Sequence, residues 1–380
     1  MTLTAITFSS DDYRYMAKAI KLAKRGHFTT HPNPRVGCVL VKDNKIIGEG
    51  YHRKAGDPHA ERMALAQVKN PNDTQGSTAY VTLEPCCHHG KTPPCTDALI
   101  KAGIGQVIIA MQDPNPLVAG NGIKLLESKN IKVKSGLLES QARGLNKGFI
   151  KLMQQKLPFV RCKLACSLDG RSAMASGESV WISSEQSRHD VQFLRAESAA
   201  VMTGVGTILT DDPSMNVRLS VDELSIESDL EVRQPLRVIV DTDLKTPSAA
   251  KILKLSGQVI IFCAPHAVSK VSQYDVSKVT VIPVDVVDGK LDLKQILFKL
   301  GEKQIGEILL ETGAILAGNM LSKGLIDEII VYQAPHLMGD SAKGLFYLPN
   351  IQQMSDRVSL ELLDVRQIGN DIRFTAKVAN

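Results

Sequence analysis

The chain has 380 residues, of which 43% are hydrophobic, and a formal net charge of +5. This length exceeds what one hydrophobic core usually supports, so we expect two domains. No apolar run approaches the roughly 20 residues needed to span a bilayer, the start of the chain lacks a signal-peptide pattern, and the basic residues are interspersed. We therefore expect a cytoplasmic protein without membrane or nucleic-acid partners, and the charge favours a small anionic ligand only weakly.

The first half of the chain alternates helices and strands. An apolar stripe after Ser10-Asp11-Asp12 predicts an N-capped amphipathic helix that ends near Gly26. The segments VGCVLV and KIIGEGYH, with a turn at Asp43-Asn44, predict a β-hairpin. A helix (HAERMALAQV), a buried strand (TAYVTL), a Cys/His loop, a helix (CTDALIKAG) and a strand (QVIIAM) follow. This order predicts a layered α/β domain.

The alternation of predicted helices and strands is interrupted around residues 145–158, where we place the boundary between two domains, 1–150 and 151–380. The second half again alternates strands and helices, including EILLETG followed by AILAGNMLSKG. Two late strands, SLELLDVRQIG and DIRFTAKVA, predict a hairpin at the edge of a mixed sheet. The polar stretch SVDELSIESDLEVRQP (220–235) predicts an exposed loop.

The seven cysteines indicate a reduced compartment with a metal site rather than a disulfide framework. Cys86, Cys87 and Cys95 crowd one loop, whereas Cys38, Cys162, Cys166 and Cys263 lie in apolar, strand-like surroundings.

The pattern H-x-E, P-C, C predicts a catalytic zinc site. His59 and Glu61 stand at the start of a predicted helix, Cys86 follows a strand, and Cys95 starts the next helix. One imidazole and two thiolates give Zn²⁺ three protein ligands and leave the fourth position for water. Zinc lowers the pKa of such a water, and the Glu61 carboxylate can move its proton to a departing amine. This chemistry is hydrolytic deamination of an amidine-like ring carbon, as in base deaminases.

Several alternatives stand beside this interpretation. Isolated cysteines near strand ends are usually core residues, and H-x-E alone is common, but their ordered combination favours zinc. Cys87 is not an expected ligand, because adjacent residues on a tight turn rarely reach one metal. His88 and His89 lie either on an exposed loop or in the site. The rival functions are a structural zinc module with a nucleotide-sensing domain, and a nucleotide or tRNA base deaminase with an accessory nucleotide-binding domain.

The motifs of the first half resemble the cytidine-deaminase-like superfamily. HPNPRVGCVLV, GEGYH, HAE, TLEPCCHHGKTPPC and MQDPNPLVAGNG resemble, more narrowly, the deaminase domain of the bifunctional riboflavin-biosynthesis deaminase/reductase family. KLACSLDGRSAMASGESVWIS, LTDDPSMNVR and ETGAILAGNML are similar to the reductase half, so the resemblance covers nearly the whole chain.

The resemblance implies a fold, two activities and two cofactors. It implies a cytidine-deaminase-like three-layer domain and a dihydrofolate-reductase-like α/β domain with a mixed sheet. We also expect a homo-oligomer. The implied reactions are deamination of 2,5-diamino-6-(5-phosphoribosylamino)pyrimidin-4(3H)-one to the corresponding uracil, followed by reduction of the ribosyl to the ribityl group. Zn²⁺ and NADPH are the implied cofactors.

For the deaminase half the resemblance implies that His59, Cys86 and Cys95 bind zinc and that Glu61 is the proton shuttle. The implied substrate pocket comprises Asn33, His52, Lys91, Asp113 and Asn115. Eight residues separate Cys86 from Cys95, instead of the two of the common base-deaminase signature. This longer loop is similar to the riboflavin branch and makes room for Lys91, whereas Cys87 stands where serine is expected more often.

The reductase half carries a glycine-bearing turn, Gly313 to Asn319, between a predicted strand and a helix. Such a helix N-terminus can bind phosphate, but a strand-Gly-helix turn is also a common packing device. It is not the G-x-G-x-x-G fingerprint, and Gly204-Val205-Gly206 lacks the third glycine, so the residues themselves do not support a Rossmann fold.

The resemblance also implies the reductase site residues. NADPH would contact Ala165, Trp181, Thr207, Asp211, Gly313, Ala314, Ile315, Leu316, Ala317, Gly318 and Asn319. The second substrate would contact Lys163, Ser179, Arg195, Met215, Arg218 and Glu311. Two arginines suit a phosphate group, although either could be an exposed cation, and Asp211 could be a turn residue. Either Lys163 or Glu311 could assist proton movement.

Overall fold

The computed structural model describes residues 7–88, 93–116 and 118–379. The chain divides into two compact units. The first comprises Met1–Lys156 and Ser225–Leu230, and the second comprises Leu157–Leu224 and Glu231–Asn380. Six residues of the predicted loop 220–235 thus belong to the first unit. Within the described residues no helix is long and apolar enough to cross a membrane.

The first unit is built on a five-stranded sheet of order β2-β1-β3-β4-β5. Its strands are β1 (Gly37–Lys42), β2 (Lys45–Tyr51), β3 (Thr78–Leu83), β4 (Gln106–Met111) and β5 (Lys132–Ser135). Strand β1 runs antiparallel to β2 and β3, whereas β3, β4 and β5 are parallel. Asp43 and Asn44 both have positive φ angles (47° and 59°), as a two-residue hairpin of type I′ requires. The predicted hairpin is therefore confirmed.

The helices of the first unit cover both faces of this sheet. They are α1 (Ser10–Ala23), α2 (Ala60–Ala66), α3 (Cys95–Lys101), α4 (Asn121–Ser128), α5 (Glu139–Leu145) and α6 (Lys147–Gln155), with 3-10 helices at Lys24–Gly26 and Pro71–Thr74. Val39 and Val41 pack with residues of α1 and α5, whereas Cys38 and Leu40 pack with α2 and α3. This alternation along β1 produces the three layers that were predicted.

The start of α1 differs by one residue from the prediction. Ser9, and not a residue of Ser10-Asp11-Asp12, caps the helix. Its side chain accepts a hydrogen bond from the Asp12 backbone amide, and the Asp12 carboxylate accepts one from the Ser9 amide. This reciprocal pair satisfies two amide groups that the helix leaves without intrahelical partners. The helix ends at Ala23, and the 3-10 helix continues to Gly26.

The second unit is built on a nine-stranded mixed sheet of order β11-β10-β9-β8-β14-β6-β15-β18-β17. Its strands are β6 (Phe159–Ser167), β8 (Ala200–Gly204), β9 (Leu236–Val240), β10 (Val259–Cys263), β11 (Val279–Pro283), β14 (Glu307–Glu311), β15 (Glu328–Ala334), β17 (Leu360–Ile368) and β18 (Asp371–Val378). Short pairs are β7 (Arg171–Ala173) with β16 (Lys343–Gly344), and β12 (Val286–Val287) with β13 (Lys290–Leu291). Only the β15-β18 and β17-β18 pairs of the large sheet are antiparallel, which confirms the predicted hairpin at a sheet edge.

Helices pack on both faces of the large sheet. They are α7 (Glu185–Glu197), α8 (Val205–Asp211), α9 (Lys251–Lys254), α10 (Leu293–Glu302) and α11 (Ala314–Ser322), with 3-10 helices at Pro265–Gln273 and Met354–Asp356. Neighbouring residues Leu309 and Leu310 of β14 belong to different core clusters, one on each face. The parallel strands β8, β14 and β6 lie side by side at the centre. Their carboxyl ends therefore meet at one edge, where open α/β sheets bind ligands.

Candidate active sites

Three potential metal ligands converge in the first unit. His59 is the N-cap of α2, Cys86 follows β3, and Cys95 is the first residue of α3. The distance from His59 Nδ1 is 3.6 Å to Cys86 Sγ and 3.3 Å to Cys95 Sγ, and all three ligand atoms lie within 4.8 Å of one another. Among the described residues, this cluster does not include Cys87.

This geometry fits a tetrahedral zinc ion. Zn–S bonds of about 2.3 Å and Zn–N bonds of about 2.1 Å place neighbouring sulfur and nitrogen ligands about 3.5 Å apart. The observed separations of 3.6 and 3.3 Å lie close to this value. Three soft or borderline ligands with one position left for water match catalytic rather than structural zinc.

The two thiols have opposite protonation tendencies. Hydrogen bonds from the Cys95 thiol and then from the His59 ring lower the pKa of Cys86 to about 4, although burial opposes this change. The same bond to Cys86, together with burial, raises the pKa of Cys95. The lowered pKa favours the thiolate form of Cys86, and a divalent cation that displaced the Cys95 proton would bind two thiolates.

Glu61 lies in the first turn of α2, and only 3% of its surface is exposed. Burial raises the pKa of Glu61, and the negative charge of Cys86 adds to this effect. A raised carboxyl pKa suits a group that must both accept and donate a proton near neutral pH. The residue type, the burial and the position two residues after His59 all agree with the predicted proton shuttle.

Asn33 and His52 lie together beside the ligand cluster. The Asn33 Nδ2 atom is 3.0 Å from His52 Nε2, and the His52 ring packs edge-on against the His59 ring with centroids 5.4 Å apart. Burial lowers the pKa of His52, so its imidazole is neutral and can accept or donate a hydrogen bond.

Asp113 and Asn115 follow β4. Asp113 is buried, and burial raises its pKa to about 6, although the hydrogen bond from the Asn115 backbone amide (2.8 Å) opposes this change. These residues thus form a turn of their own near the end of the strand. The predicted anion contact Lys91, with His89 and Thr92, lies outside the described residues.

Glu84 is a site-organising residue that the sequence analysis missed. Its buried carboxylate accepts hydrogen bonds from four backbone amides, those of Asp113, Gly120, Gly122 and Ile123, at 2.9 to 3.2 Å. It therefore ties the segment before Cys86 to the Asp113 turn and to the start of α4, where a negative charge is favoured. The four donors lie about 30 to 40 residues further along the chain, so the residues around Glu84 do not reveal this role. Its position just before Pro85-Cys86 is the local feature that could have drawn attention to it.

In the second unit, four charged residues predicted to bind the second substrate lie near one another. Glu311 of β14 pairs in register with Lys163 of β6. Arg195 of α7 donates to the two Glu311 oxygens at 2.6 and 3.0 Å. Arg218 is close enough to interact electrostatically with Arg195 and with Glu311. Burial alone would raise the pKa of Glu311, but the charge and hydrogen bonds of Arg195 lower it. Burial lowers the pKa of Lys163.

The predicted nucleotide-binding residues lie at the carboxyl ends of the central strands. Thr207 and Asp211 are on α8, which follows β8, and Gly313 caps α11, which follows β14. A side chain on Gly204 would contact Leu316 at 3.3 Å, so these two turns are adjacent. Ala165 lies on β6.

Individual residues of this set occupy different environments. Ser179 donates to Asp211 at 3.2 Å, and Trp181 is 72% exposed beneath the Arg188 guanidinium. Ala314 and Ile315 open α11, and Asn319 accepts from Lys290 at 3.1 Å. Ala317 and Met215 belong to the core, and Gly318 packs against the Tyr347 backbone. The side chains of Ala317 and Met215 therefore pack inside the protein.

Thr203 and Tyr332 are further polar residues that the sequence analysis did not select. The Thr203 hydroxyl is buried on β8 and has no hydrogen-bond partner among the described residues. Met202 pairs with Leu310, so the next residues along these strands, Thr203 and Glu311, are neighbours. The Tyr332 ring centroid lies 5.7 Å from Lys163 Nζ, and its hydroxyl donates to Asp190 at 2.5 Å. Both look like ordinary core-strand residues in the sequence.

Two family models match the chain. Residues 9–111 match the cytidine and deoxycytidylate deaminase zinc-binding region, and residues 158–374 match the RibD C-terminal domain. The two matches correspond to the two halves that the motifs distinguish. The matched range 9–111 contains His59, Cys86 and Cys95.

Proteins similar over nearly the whole length are riboflavin biosynthesis proteins. The Escherichia coli K12 riboflavin biosynthesis protein RibD is 47% identical, covering 95% of this chain and 98% of its own. The corresponding Haemophilus influenzae protein is 45% identical, covering 97% of this chain and 98% of its own.

Two solved structures extend this similarity to the fold. Acinetobacter baumannii RibD superposes with a TM-score of 0.89 at 45% identity, covering 97% of this chain and 99% of its own. A Thermotoga maritima diaminohydroxyphosphoribosylaminopyrimidine deaminase/5-amino-6-(5-phosphoribosylamino)uracil reductase superposes with a TM-score of 0.85 at 33% identity, covering 97% and 99%.

These similarities confirm the resemblance seen in the motifs, the cytidine-deaminase-like and dihydrofolate-reductase-like fold classes, and the expectation of an enzyme with zinc and NADPH as cofactors. The chain belongs to the RibD family and is a bifunctional deaminase and reductase of riboflavin biosynthesis.

Proposed function

We propose that the chain deaminates 2,5-diamino-6-(5-phosphoribosylamino)pyrimidin-4(3H)-one to 5-amino-6-(5-phosphoribosylamino)uracil and then reduces the ribosyl to the ribityl group with NADPH. The main structural support for this proposal is that His59, Cys86 and Cys95 converge beside the buried Glu61. The Thermotoga maritima enzyme, whose name states both activities, supports this substrate.

In the deamination step, His59, Cys86 and Cys95 would hold the zinc ion, which supplies a Lewis acid that activates water. The Glu61 carboxylate takes a proton from this water and delivers it to the exocyclic amine, which leaves as ammonia. The overall change exchanges a C–N bond for a C–O bond and consumes one water. Burial of Glu61 excludes bulk water from this proton transfer. In this proposal His52, whose pKa burial lowers, and its neighbour Asn33 bind the pyrimidine edge.

In the reduction step, NADPH, which Thr207 and Asp211 of α8 and the Gly313 turn would hold, would supply hydride for C1 of the opened sugar imine, and a residue of the chain would supply a proton for the attached nitrogen. Arg195 keeps Glu311 ionised, whereas burial lowers the pKa of Lys163. Lys163 is therefore the better proton donor of the two. Arg218 remains exposed and is available for the substrate phosphate, because Arg195 is already engaged by Glu311.

The test is incubation of the zinc-loaded protein with the diaminopyrimidine ribosyl phosphate, with and without NADPH, followed by mass spectrometry. We expect a one-mass-unit gain from deamination alone and a further two-mass-unit gain when NADPH is present, since NH is exchanged for O and two hydrogens are then added. A folded, zinc-loaded protein that releases no ammonia would overturn the substrate assignment. Deamination without reduction would remove the second activity only.

We propose a homo-oligomer because the edge strand β17 exposes Leu360, Leu362 and Val365, which are 50%, 61% and 49% exposed. In antiparallel self-pairing, Glu361 can face Arg366 of a second copy while Leu362 faces Val365. Light scattering after size exclusion would give the mass of the oligomer.

The interspersed charges fit a small-molecule substrate rather than nucleic acid. The seven free cysteines support a cytoplasmic location.

A further inference from the structure

Ser225–Leu230 is a short segment whose neighbours are remote in sequence. It belongs to the first compact unit, although Leu224 and Glu231 on either side of it belong to the second. At its centre, Glu227 makes three contacts with residues near the beginning of the chain. These contacts give a residue of the second half of the sequence a place in the unit that carries the zinc ligands.

The Glu227 carboxylate is a shared acceptor. Arg53 Nε lies 2.7 Å from one oxygen, Arg25 Nη2 lies 3.1 Å from the other, and the Tyr51 hydroxyl donates to that second oxygen. Asp229 adds a second ion pair to Arg53 at 2.6 Å. The Arg53 side chain is only 20% exposed, and Tyr51 is buried. Ion pairs that are partly shielded from water fix geometry better than fully exposed pairs do.

Tyr51 and Arg53 flank His52 in the chain. Residues two apart in an extended segment share one side, so His52 points away from Glu227 while its neighbours point toward it. On its own side, His52 contacts Asn33 and packs edge-on against the zinc ligand His59. The Arg53 carbonyl additionally accepts a hydrogen bond from the Thr29 hydroxyl. The backbone on both sides of His52 is thus held through side chains that meet at one carboxylate.

We propose that Glu227 is a positioning residue for deamination: by holding Tyr51 and Arg53 it presents His52 to the pyrimidine. This inference rests on the proposed deaminase function. Glu227 touches neither the zinc ligands nor Glu61 in the contacts described, so it acts on substrate placement and not on the proton shuttle. Loss of its charge therefore raises KM for the pyrimidine and leaves kcat nearly unchanged.

The test uses the full-length, zinc-loaded protein and the variant Glu227→Gln, which keeps the size and one acceptor oxygen but removes the charge. We expect KM for ammonia release to rise about 10-fold and kcat to stay within about 2-fold, because a contact that binds the ground state and the transition state equally raises KM alone when it is weakened. Zinc content and NADPH oxidation with the deaminated pyrimidine supplied directly stay at the parent values. Tyr51→Phe, which removes one hydrogen-bond donor to Glu227, should also raise KM. The matched control Glu231→Gln changes an exposed carboxylate four residues further along and leaves KM unchanged.

A double-variant cycle separates positioning from a general structural role. If Glu227 acts through His52, Glu227→Gln adds less than about 2-fold to KM in a His52→Ala background. Full additivity there, an unchanged KM in the single variant, or an equal loss of both activities would each overturn the inference. A parent protein that releases no ammonia would instead overturn the proposed function on which the inference rests.

Discussion

In the proposed mechanism, the deamination chemistry depends most directly on Glu61. Glu61→Gln removes the proton shuttle but keeps the side-chain size, so we expect ammonia release to fall by about 10²- to 10⁴-fold. Zinc content, measured by mass spectrometry of the metal, should stay at one ion per chain, because Glu61 is not among the three clustered ligands. Glu49→Gln, a partly exposed carboxylate on β2 that pairs with Lys18, is the control. Unchanged turnover in Glu61→Gln would remove this residue from the mechanism.

Asp113 should make stability depend on pH. Its folded pKa of about 6 exceeds the ordinary value of 3.8, because burial disfavours the charge. The associated stability is present below the ordinary value and is lost as pH rises through about 6. The difference between a pKa of about 6 and one of 3.8 corresponds to about 3 kcal/mol in the free energy of unfolding at neutral pH. Asp113→Asn should therefore be more stable than the parent by about 1 to 3 kcal/mol near pH 7.5, with little difference near pH 4.

Urea unfolding, monitored by hydrogen exchange of peptides from β3 and β4, measures this difference in stability within the first unit. Asp222→Asn, an exposed carboxylate of the second unit, is the control and should show no such pH-dependent gain. A parent and an Asp113→Asn variant that lose stability in parallel between these pH values would contradict the raised pKa.

At the scale of elements, the packing of α1 on β1 depends on Gly37. A Cβ atom at this position would lie 2.0 Å from the Ala19 carbonyl oxygen and 2.8 Å from the Ala23 amide nitrogen. Gly37→Ala therefore has to separate the helix from the strand, and overpacking of this kind costs about 1 to 3 kcal/mol in the free energy of unfolding. Thermal unfolding and exchange of α1 peptides should both show the loss.

Gly144→Ala is the matched control for that substitution. Gly144 lies in α5, where an added Cβ would meet nothing within 4 Å, so alanine should be neutral or stabilise the helix by up to about 1 kcal/mol. Equal melting temperatures for Gly37→Ala and Gly144→Ala would show that α1 does not depend on the close approach at Gly37.

The elements that the sequence predicts well are those with local signals. The hairpin around Asp43-Asn44 is encoded by two residues that tolerate positive φ, and the edge hairpin β17-β18 by alternation on either side of a glycine turn. The clustering of the potential ligands His59, Cys86 and Cys95 could also be predicted from the sequence, since each residue begins or follows an element whose position fixes its direction. Such features depend on a few neighbouring residues and on the period of the element.

Features that depend on remote pairing were not accessible in the same way. The role of Glu84 arises from backbone amides near Gly120, and that of Thr203 from the neighbouring strand β14, so neither has a local signature. The polar composition of residues 220–235 predicts irregular structure, as observed. It does not indicate that Glu227 belongs to the first unit. Lys91 lies outside the described residues and stays a prediction.

At the scale of the whole molecule, removal of zinc should separate the two activities. The potential metal ligands lie in the first unit, whereas Lys163, Arg195 and Glu311 lie in the second. Treatment with a zinc chelator followed by desalting should reduce ammonia release at least about 100-fold, because unassisted water is a poor nucleophile near neutral pH.

NADPH oxidation with the deaminated pyrimidine supplied directly should stay within about 2-fold of the untreated protein, and added zinc should restore ammonia release. The reference is the same protein taken through the procedure without chelator. Loss of both activities in the chelated sample would show that the metal also supports the reductase unit.

The placement of Ser225–Leu230 in the first unit has a consequence for genetics. Alleles of a two-activity gene are usually sorted by map position, early lesions being assigned to the first step and late lesions to the second. A lesion at codon 227 would map with the late group, yet it should behave as an early one. It would be complemented by an allele that supplies only the deaminase activity from an intact chain, and not by one that supplies only the reductase.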